Sequence, residues 1–400
     1  MGDTAAPTRM SRQLKAGIAI SALDGIGYGL LIPMLPFVVL GYGGGPAVVT
    51  QLVAFYGLAG FLGGPVLGSL SDRFGRPLVL KLTFVGVVVS YAGMLATNSL
   101  VWLFAFRIMT GALTGHAAIV KALVTDDLPP ERHVGAIASL TATAALAAAF
   151  GPAIGALVVV VVADLDQQFR AAVLGALLAN GAMLAVALLI WRSPAPAPRP
   201  ALKPKAAQGE RPWRMALPFL AVALTAYGHA VLISTTALFV HARFQWGPKE
   251  TGLLLALATA AIAGVRFFAL DRLRQHVGLS ALLSGATALG AAAMVGMALS
   301  PSPAGFVACF TLFALADGVF IVLPVASVSV AADPQHRGFY LGWAQGLAAL
   351  ATFASASLNG VVFEAFGPFA PHVLGAGALG LAAASALLAS RPARRPVAAE

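Results

Sequence analysis

The sequence predicts an all-α membrane protein with twelve transmembrane helices arranged in two six-helix bundles. Of its 400 residues, 59% are hydrophobic and only 10% are charged, whereas an average soluble domain has about 25% charged residues. A soluble fold of this length has too little interior to cover so much apolar surface, so lipid is the expected solvent. The apolar runs reach the roughly 20 residues that a helix needs to cross a bilayer, which favours helices as the spanning elements.

Twelve apolar runs, separated by short polar breaks, are the predicted spans. They cover residues 15–40, 47–69, 77–97, 100–123, 134–161, 169–191, 214–241, 248–270, 278–300, 303–331, 338–363 and 369–390. Pro33 and Pro36 predict a kink in the outer half of the first span, because proline removes a backbone donor.

One break is much longer than the others. Residues 192–213 are rich in proline, lysine and arginine, a composition that favours an extended, solvated chain over a helix. This segment predicts a cytoplasmic linker between an N-terminal bundle at 1–191 and a C-terminal bundle at 214–400.

The basic residues predict the orientation, since cytoplasmic loops carry an excess of lysine and arginine. With the N-terminus inside, 21 of the 25 basic residues lie on the cytoplasmic side. Arg170, Arg243 and Lys249 lie outside, and Arg107 remains within the membrane. Both termini are therefore predicted to be cytoplasmic, and the net charge of +10 indicates contact with anionic lipid and not with nucleic acid.

Three ionisable residues lie deep within predicted spans, namely Asp24, Arg107 and Asp317. A charge at the centre of a helix costs about 2.5–3.5 kcal/mol on insertion scales, and such residues commonly mark a transport pathway. All three are candidates for proton coupling. The alternative for each is a static ion pair or hydrogen bond that only fixes helix packing.

Arg107 is expected to pair with Asp24, because both lie at a similar depth and a buried arginine cannot lose its proton. Gly111 and Gly115 follow it on roughly the same helix face and predict a narrow seam against another helix. His116 should lie about half a turn from the Arg107 face, since nine residues rotate a helix by about 900°. That rotation predicts a packed, hydrogen-bonded histidine, and His229 is interpreted in the same way.

The chain shows no metal-ligand spacing, no Ser-His-Asp set and no phosphate-binding loop. Its single cysteine, Cys309, excludes a disulfide within the chain. We therefore expect neither an enzyme nor a metal or organic cofactor, and an ion gradient is the remaining energy source.

The polar turn at Gly68–Arg76 resembles the loop between helices two and three of the major facilitator superfamily. The matching residues include Gly68, Asp72, Arg73, Gly75 and Arg76. The resemblance implies a cytoplasmic latch formed by the aspartate and the arginines, with close helix packing at Gly68.

Further motifs resemble the drug:proton antiporters of that superfamily. Arg107 with Gly111 is similar to their fourth-helix motif, whose arginine is linked to proton coupling. Gly151, Pro152 and Gly155 are similar to their fifth-helix signature. The segments 23–36 and 243–246 resemble bacterial tetracycline exporters, although Ser90 and Leu289 stand where those exporters carry acids.

The resemblance implies a proton-coupled exporter of a small, largely apolar compound, working by alternating access as a monomer in the bacterial inner membrane. The alternative is a proton-coupled uptake permease for a polar metabolite, and a non-transporting membrane receptor is a third class. Candidate residues for a substrate cavity are Tyr28, Gln51, Tyr56, His116, Asn180, His229, Trp343, Gln345 and Asn359.

Overall fold

A computed structural model describes residues 11–162, 164–191, 213–332 and 337–390. Within these ranges, twelve helices are long and apolar enough to cross a membrane, and each coincides with one of the predicted spans. The described chain is almost entirely helical. The prediction of an all-α membrane protein with twelve spans is therefore confirmed.

The first six spans include two that are interrupted. Span 1 comprises Arg12–Leu31 and Leu35–Gly41, span 2 is Pro46–Phe74, span 3 is Arg76–Ala96, span 4 comprises Leu100–Ala112, the 3-10 turn Leu113–Gly115 and His116–Asp126, span 5 is His133–Val161, and span 6 is Leu165–Ile190. The break in span 1 falls at Pro33, as predicted from the missing backbone donor.

The last six spans also include two interrupted helices. Span 7 is Trp213–Phe244, span 8 comprises Pro248–Gly264, the π-helical turn Val265–Ala269 and Leu270–His276, span 9 is Leu279–Leu299, span 10 comprises Pro303–Phe320 and Leu323–Ala331, span 11 is Arg337–Phe366, and span 12 is Ala370–Ser390.

The chain divides into two compact units. One contains the described residues within Met1–Leu202 together with Trp246–Ala256, and the other contains those within Lys203–Gln245 and Leu257–Glu400. The start of span 8 belongs to the first unit because Gly252 packs against span 5. A Cβ added at Gly252 would lie 3.0 Å from the Pro152 carbonyl oxygen and 3.0 Å from the Ala156 Cβ. The predicted linker at 192–213 lies outside the described residues except for Trp213, so the predicted domain boundaries stay a prediction.

The first unit has an apolar core at the end of the bundle that carries the loop between spans 2 and 3. Its fully buried members include Ile20, Leu80, Phe84, Val124 and Leu140. Spans 1, 3, 4 and 5 contribute these side chains. The core therefore holds spans 1 and 4, which carry Asp24 and Arg107, in a fixed relation to each other.

Span 1 also approaches span 5 closely through small residues. A Cβ at Gly25 would lie 2.8 Å from the Ala147 Cβ, and one at Gly29 would lie 2.6 Å from the Gly151 Cα. Neither approach is compatible with a side chain, so glycine allows the two backbones to meet. Contacts of this kind replace the hydrophobic effect as the source of helix association in lipid.

Candidate functional site

Asp24 on span 1 lies beside His116 on span 4. Its Oδ1 atom is 3.2 Å from His116 Nε2, and the side chains of Asp24 and His116 are 38% and 6% exposed, respectively. The distance is that of an ion pair, but Nε2 lacks a well-aligned hydrogen bond. The acid thus has one partially accessible face and one face against an almost fully buried imidazole.

The hydrogen bond made by the other ring nitrogen of His116 determines which protonation states of this pair are favourable. Nδ1 lies 2.9 Å from the Leu113 carbonyl oxygen, which can only accept, so Nδ1 carries a hydrogen. If Nε2 had none, its lone pair would face a carboxylate lone pair at 3.2 Å. The arrangement is therefore favourable only when a proton lies between the two groups, either on the imidazole or on the acid.

The expected pairing of Asp24 with Arg107 is wrong, because no ion pair within 4 Å joins them in the part of the chain that the structure describes. The 3-10 turn at Leu113–Gly115 interrupts span 4 between Arg107 and His116. Three residues at about 120° each, where an α-helix turns about 100°, rotate the following segment by about a further 60°. His116 therefore points in a different direction from the one that uninterrupted helix geometry predicts.

Arg107 lies instead on an aromatic stack. Its guanidinium carbon is 4.1 Å from the centre of the Tyr56 ring, and Tyr56 stacks on Tyr28 with 5.9 Å between ring centres. The arginine is only 4% exposed, and its Nε has no hydrogen-bond partner. A cation–π contact in such a desolvated place is worth about 2 kcal/mol or more, which partly compensates for the buried charge.

The glycine seam beside Arg107 is confirmed. Gly111 faces the backbone of Tyr56 so closely that no side chain fits between spans 2 and 4. A Cβ at Gly115 would lie 3.1 Å from the Gly64 Cα. The seam brings span 2 close enough for the Tyr56 ring to cover Arg107.

Asp317 on span 10 has a corresponding partner in the second unit. Its Oδ1 lies 2.9 Å from His229 Nδ1 on span 7. Asp317 is 0% exposed, and its Oδ2 has no hydrogen-bond partner. The interpretation of His229 as a simple packing residue is therefore incomplete, since it contacts a buried acid.

The loop between spans 2 and 3 contains the ion pairs expected of a latch, but they belong to Arg76. Arg76 pairs with Asp126 at the end of span 4, and its Nη2 lies 3.7 Å from Asp72 Oδ1. Arg73 instead lies over the Phe74 ring, 5.3 Å from its centre. Gly75 has φ 92°, a value that favours glycine and allows the tight turn.

The remaining loop residue, Gly68, does not have the expected packing role here, because a Cβ would meet no described atom within 4 Å. The loop arrangement nevertheless joins the beginning of span 3 to the end of span 4 through charge pairs.

A family model matches the chain across this loop and the N-terminal spans: the Major Facilitator Superfamily model covers residues 18–269.

The chain belongs to the major facilitator superfamily.

Curated relatives of this superfamily member are named as tetracycline resistance proteins. The class C protein of Escherichia coli is 28% identical over 353 residues, covering 83% of this chain and 84% of the relative. The class D protein of Salmonella ordonez is 26% identical, covering 98% of this chain and 100% of the relative. The crystal structure of the nucleoside transporter NupG shares the fold with a TM-score of 0.75 at 11% identity, covering 96% of this chain and 100% of that chain.

These findings establish a multi-pass membrane transporter of the major facilitator superfamily and not an enzyme. In this transporter, the fifth-span motif packs against span 1. A Cβ at Gly155 would lie 3.0 Å from the Leu30 carbonyl oxygen, and Pro152 contacts Gly29. The motif therefore places span 5 directly against the helix that carries Asp24.

The other candidate cavity residues fall into two groups. Asn180 is buried and donates to the Ala176 carbonyl, and Asn359 is buried with hydrogen bonds to Ser355 and Tyr227. Their amides thus have partners within their own unit. In contrast, Gln51 is half-buried, Gln345 is exposed, and Trp343 is 63% exposed beside Phe339.

Arg266 on span 8 is not among the candidate site residues that the sequence predicts. Its Nε lies 3.4 Å from the Gly318 carbonyl oxygen, next to Asp317. The π-helical turn at Val265–Ala269 carries this residue. Helical periodicity alone could not reveal the turn, although the pair Asp317-Gly318 at the centre of a span was a signal of close helix approach.

Proposed function

We propose that this transporter exports a small, largely apolar compound in exchange for protons, by alternating access. The observation that carries the proposal is the contact between Asp24 and His116, which is favourable only with a proton between the two side chains. The full-length similarity to proteins named for tetracycline resistance supports export of a drug-like compound.

In the proposed cycle, Asp24 takes up a proton from the outside and releases it to the cytoplasm as the substrate moves outward. Loss of the proton would place two acceptors against each other, so deprotonation favours separation of the Asp24 and His116 side chains. Arg107 keeps a fixed positive charge near this region, which tunes the exchange and stays in place because Tyr56 covers it.

The proposal includes a topology with both termini in the cytoplasm of a bacterial inner membrane and a monomeric functional unit. The distribution of basic residues supports this orientation. Reporter fusions to each terminus should be active only when the reporter functions in the cytoplasm. Activity of a periplasm-dependent reporter at either end would contradict the topology.

The function is tested in inverted membrane vesicles with an imposed pH gradient, acidic inside, and radiolabelled tetracycline as the probe. We expect accumulation in the vesicles that collapses when an ionophore removes the gradient. Asp24→Asn should insert normally but lose gradient-driven accumulation. Asp127→Asn is the matched control, because Asp127 is an exposed acid at the end of span 4.

Two results would contradict the proposal. Accumulation that is unaffected by the ionophore would exclude proton coupling, and wild-type coupling in Asp24→Asn would exclude Asp24 as the carrier. Accumulation of a polar metabolite in right-side-out vesicles, driven by an inward proton gradient, would favour the uptake permease.

A further inference from the structure

Asp317, His229 and Arg266 form a polar cluster in the second unit that the Asp24 mechanism does not use. Asp317 and His229 are in contact at 2.9 Å, and Arg266 Nε lies 3.4 Å from the Gly318 carbonyl oxygen. Spans 10, 7 and 8 each contribute one member. Asp317 itself is completely buried.

The cluster occupies the same place in its half of the chain as Asp24 and His116 occupy in theirs. Asp24 and His116 join spans 1 and 4, which are the first and fourth helices of the first six. His229 and Asp317 join spans 7 and 10, which are the first and fourth helices of the second six. The acid and the histidine have exchanged helices, so the same chemical pair recurs with its members reversed.

The helices around Asp317 are shaped for this contact. A Cβ at Gly318 would lie 3.0 Å from the Val265 Cβ and 3.1 Å from the Ile262 carbonyl oxygen, so only glycine lets span 8 come this near. The π-helical turn Val265–Ala269 lies at the same level and carries Arg266 toward span 10. Single π-helical turns within helices are frequent at functional sites.

Few other ionisable groups face the cluster. Span 9 and the second helix of span 10 contain none. The remaining ones on spans 7 and 8 lie at Tyr227, which donates to Asn359, near the ends of span 7 at Arg214, His241 and Arg243, at the start of span 8 at Lys249 and Glu250, and at the exposed end of span 8 at Asp271, Arg272, Arg274 and His276. The charge on Asp317 is therefore governed by His229 and Arg266.

We propose that Asp317 and His229 form a second proton-binding site, so that two protons enter for each substrate molecule that leaves. This inference rests on the proton-coupled export proposed above. Without the added proton, neutral His229 donates Nδ1–H to the Asp317 carboxylate and the pair carries one negative charge. One proton from the outside neutralises the pair, and its release to the cytoplasm restores the charge.

The buried Oδ2 of Asp317 supports a site that changes charge during the cycle. An ionised carboxylate oxygen without a hydrogen-bond partner is unfavourable in a buried place, so the ionised form relies on Arg266 and His229. Protonation removes that requirement. A residue with only a packing role would gain nothing from an unpartnered oxygen.

The first experiment measures protonation without any substrate. Infrared difference spectra of the purified transporter in lipid, recorded between acid and alkaline pH, should contain one carboxyl band from Asp24 and one from Asp317. Asp24→Asn should remove one band and Asp317→Asn the other, whereas Asp127→Asn should remove neither. His229→Gln should shift the titration midpoint of the Asp317 band, and the exposed control His276→Gln should leave it unchanged.

The second experiment measures stoichiometry in proteoliposomes, with tetracycline as the probe and the membrane potential held at zero. Each proton that moves down one pH unit supports a tenfold concentration ratio. The wild type should therefore sustain about a 100-fold gradient per pH unit and Asp317→Asn about a tenfold gradient. Asp127→Asn should behave as the wild type.

The two experiments separate the possible failures. No tetracycline gradient in the wild type would count against the proposed function for this probe, and the infrared bands would still decide the second site. Absence of a band that Asp317→Asn removes, or a gradient of about 100-fold in an active Asp317→Asn variant, would overturn the second proton site. If Asp317→Asn does not transport, the infrared experiment decides: a titration midpoint of the Asp317 band that His229→Gln leaves unchanged would overturn the second proton site.

Discussion

Replacing Gly29 by alanine tests whether the approach of spans 1 and 5 holds the Asp24 helix in place. The added Cβ would lie 2.6 Å from the Gly151 Cα and 2.9 Å from the Pro152 Cδ. Ordinary carbon contacts are about 3.5–4.0 Å, so the first of these is about 1 Å too short. Neither atom is the end of a flexible side chain, and the helices must therefore move apart.

The loss of stability in Gly29→Ala is measured against the same substitution at a glycine that has open space around it. Overpacking of a well-packed interior costs about 1–3 kcal/mol, and we expect Gly29→Ala to destabilise the protein by that amount. Gly181→Ala on span 6 is the matched control, because a Cβ there meets no described atom within 4 Å. Alanine gains up to about 1 kcal/mol over glycine in a helix, but this gain applies at both positions, so the two variants should differ by the overpacking cost of about 1–3 kcal/mol.

The assay is equilibrium unfolding in mixed micelles, with increasing denaturing detergent and helicity as the signal. Tetracycline transport is measured in parallel at matched expression. Gly29→Ala should unfold at lower detergent and transport less than Gly181→Ala. Equal unfolding of both variants would refute the claim that the glycine contact fixes span 1 against span 5.

Four other predictions test separate contacts. Arg76→Ala should slow transport more than Arg73→Ala, because Arg76 pairs with Asp126 and Asp72 whereas Arg73 lies over the Phe74 ring; equal rates would show that the loop acts through another contact. Tyr56→Leu should lose about 2 kcal/mol of unfolding free energy relative to Tyr56→Phe, which keeps the ring over Arg107, and equal stability would exclude the cation–π contact. Burial and, to a lesser degree, Asp166 raise the pKa of Tyr42 above its ordinary value of about 10. The hydrogen bond from Tyr42 to Asp166 should therefore stabilise the protein below pH 10, and this stabilisation should be lost as the pH rises through the higher pKa of the folded protein. Comparing the unfolding free energies of the wild type and Tyr42→Phe across this pH range tests the direction of the change. Gln245→Gly should raise stability by about 1 kcal/mol, because Gln245 has φ 56°, and thermal unfolding measures the gain.

The positions of the spans could be predicted from the sequence because hydropathy and helix-breaking residues act locally. Pro33 breaks span 1, and Gly75 ends span 2 at a positive φ. The depth of Asp24 and Arg107 in their spans follows from the same local information. None of these features depends on which helix lies beside which.

The partners of the charged residues depend on departures from regular helix geometry, which the sequence pattern does not encode. The 3-10 turn before His116 and the π-helical turn around Arg266 rotate each side chain away from its expected direction. The same limit applies to the loop, where Arg73 and Arg76 are equivalent in the sequence. Only the position of Asp126 makes Arg76 the residue that pairs.

A histidine partner favours a proton-carrying role for both Asp24 and Asp317. An arginine beside Asp24 or Asp317 would hold the acid ionised, because a guanidinium keeps its proton throughout the accessible pH range. Histidine exists in both charge states near neutral pH, so a carboxylate–imidazole pair can gain or lose a proton. Arg107 lies on a tyrosine ring and Arg266 bonds a backbone carbonyl. The two arginines thus contact an aromatic ring and a backbone carbonyl, while the contacts made directly with the two acids come from histidines.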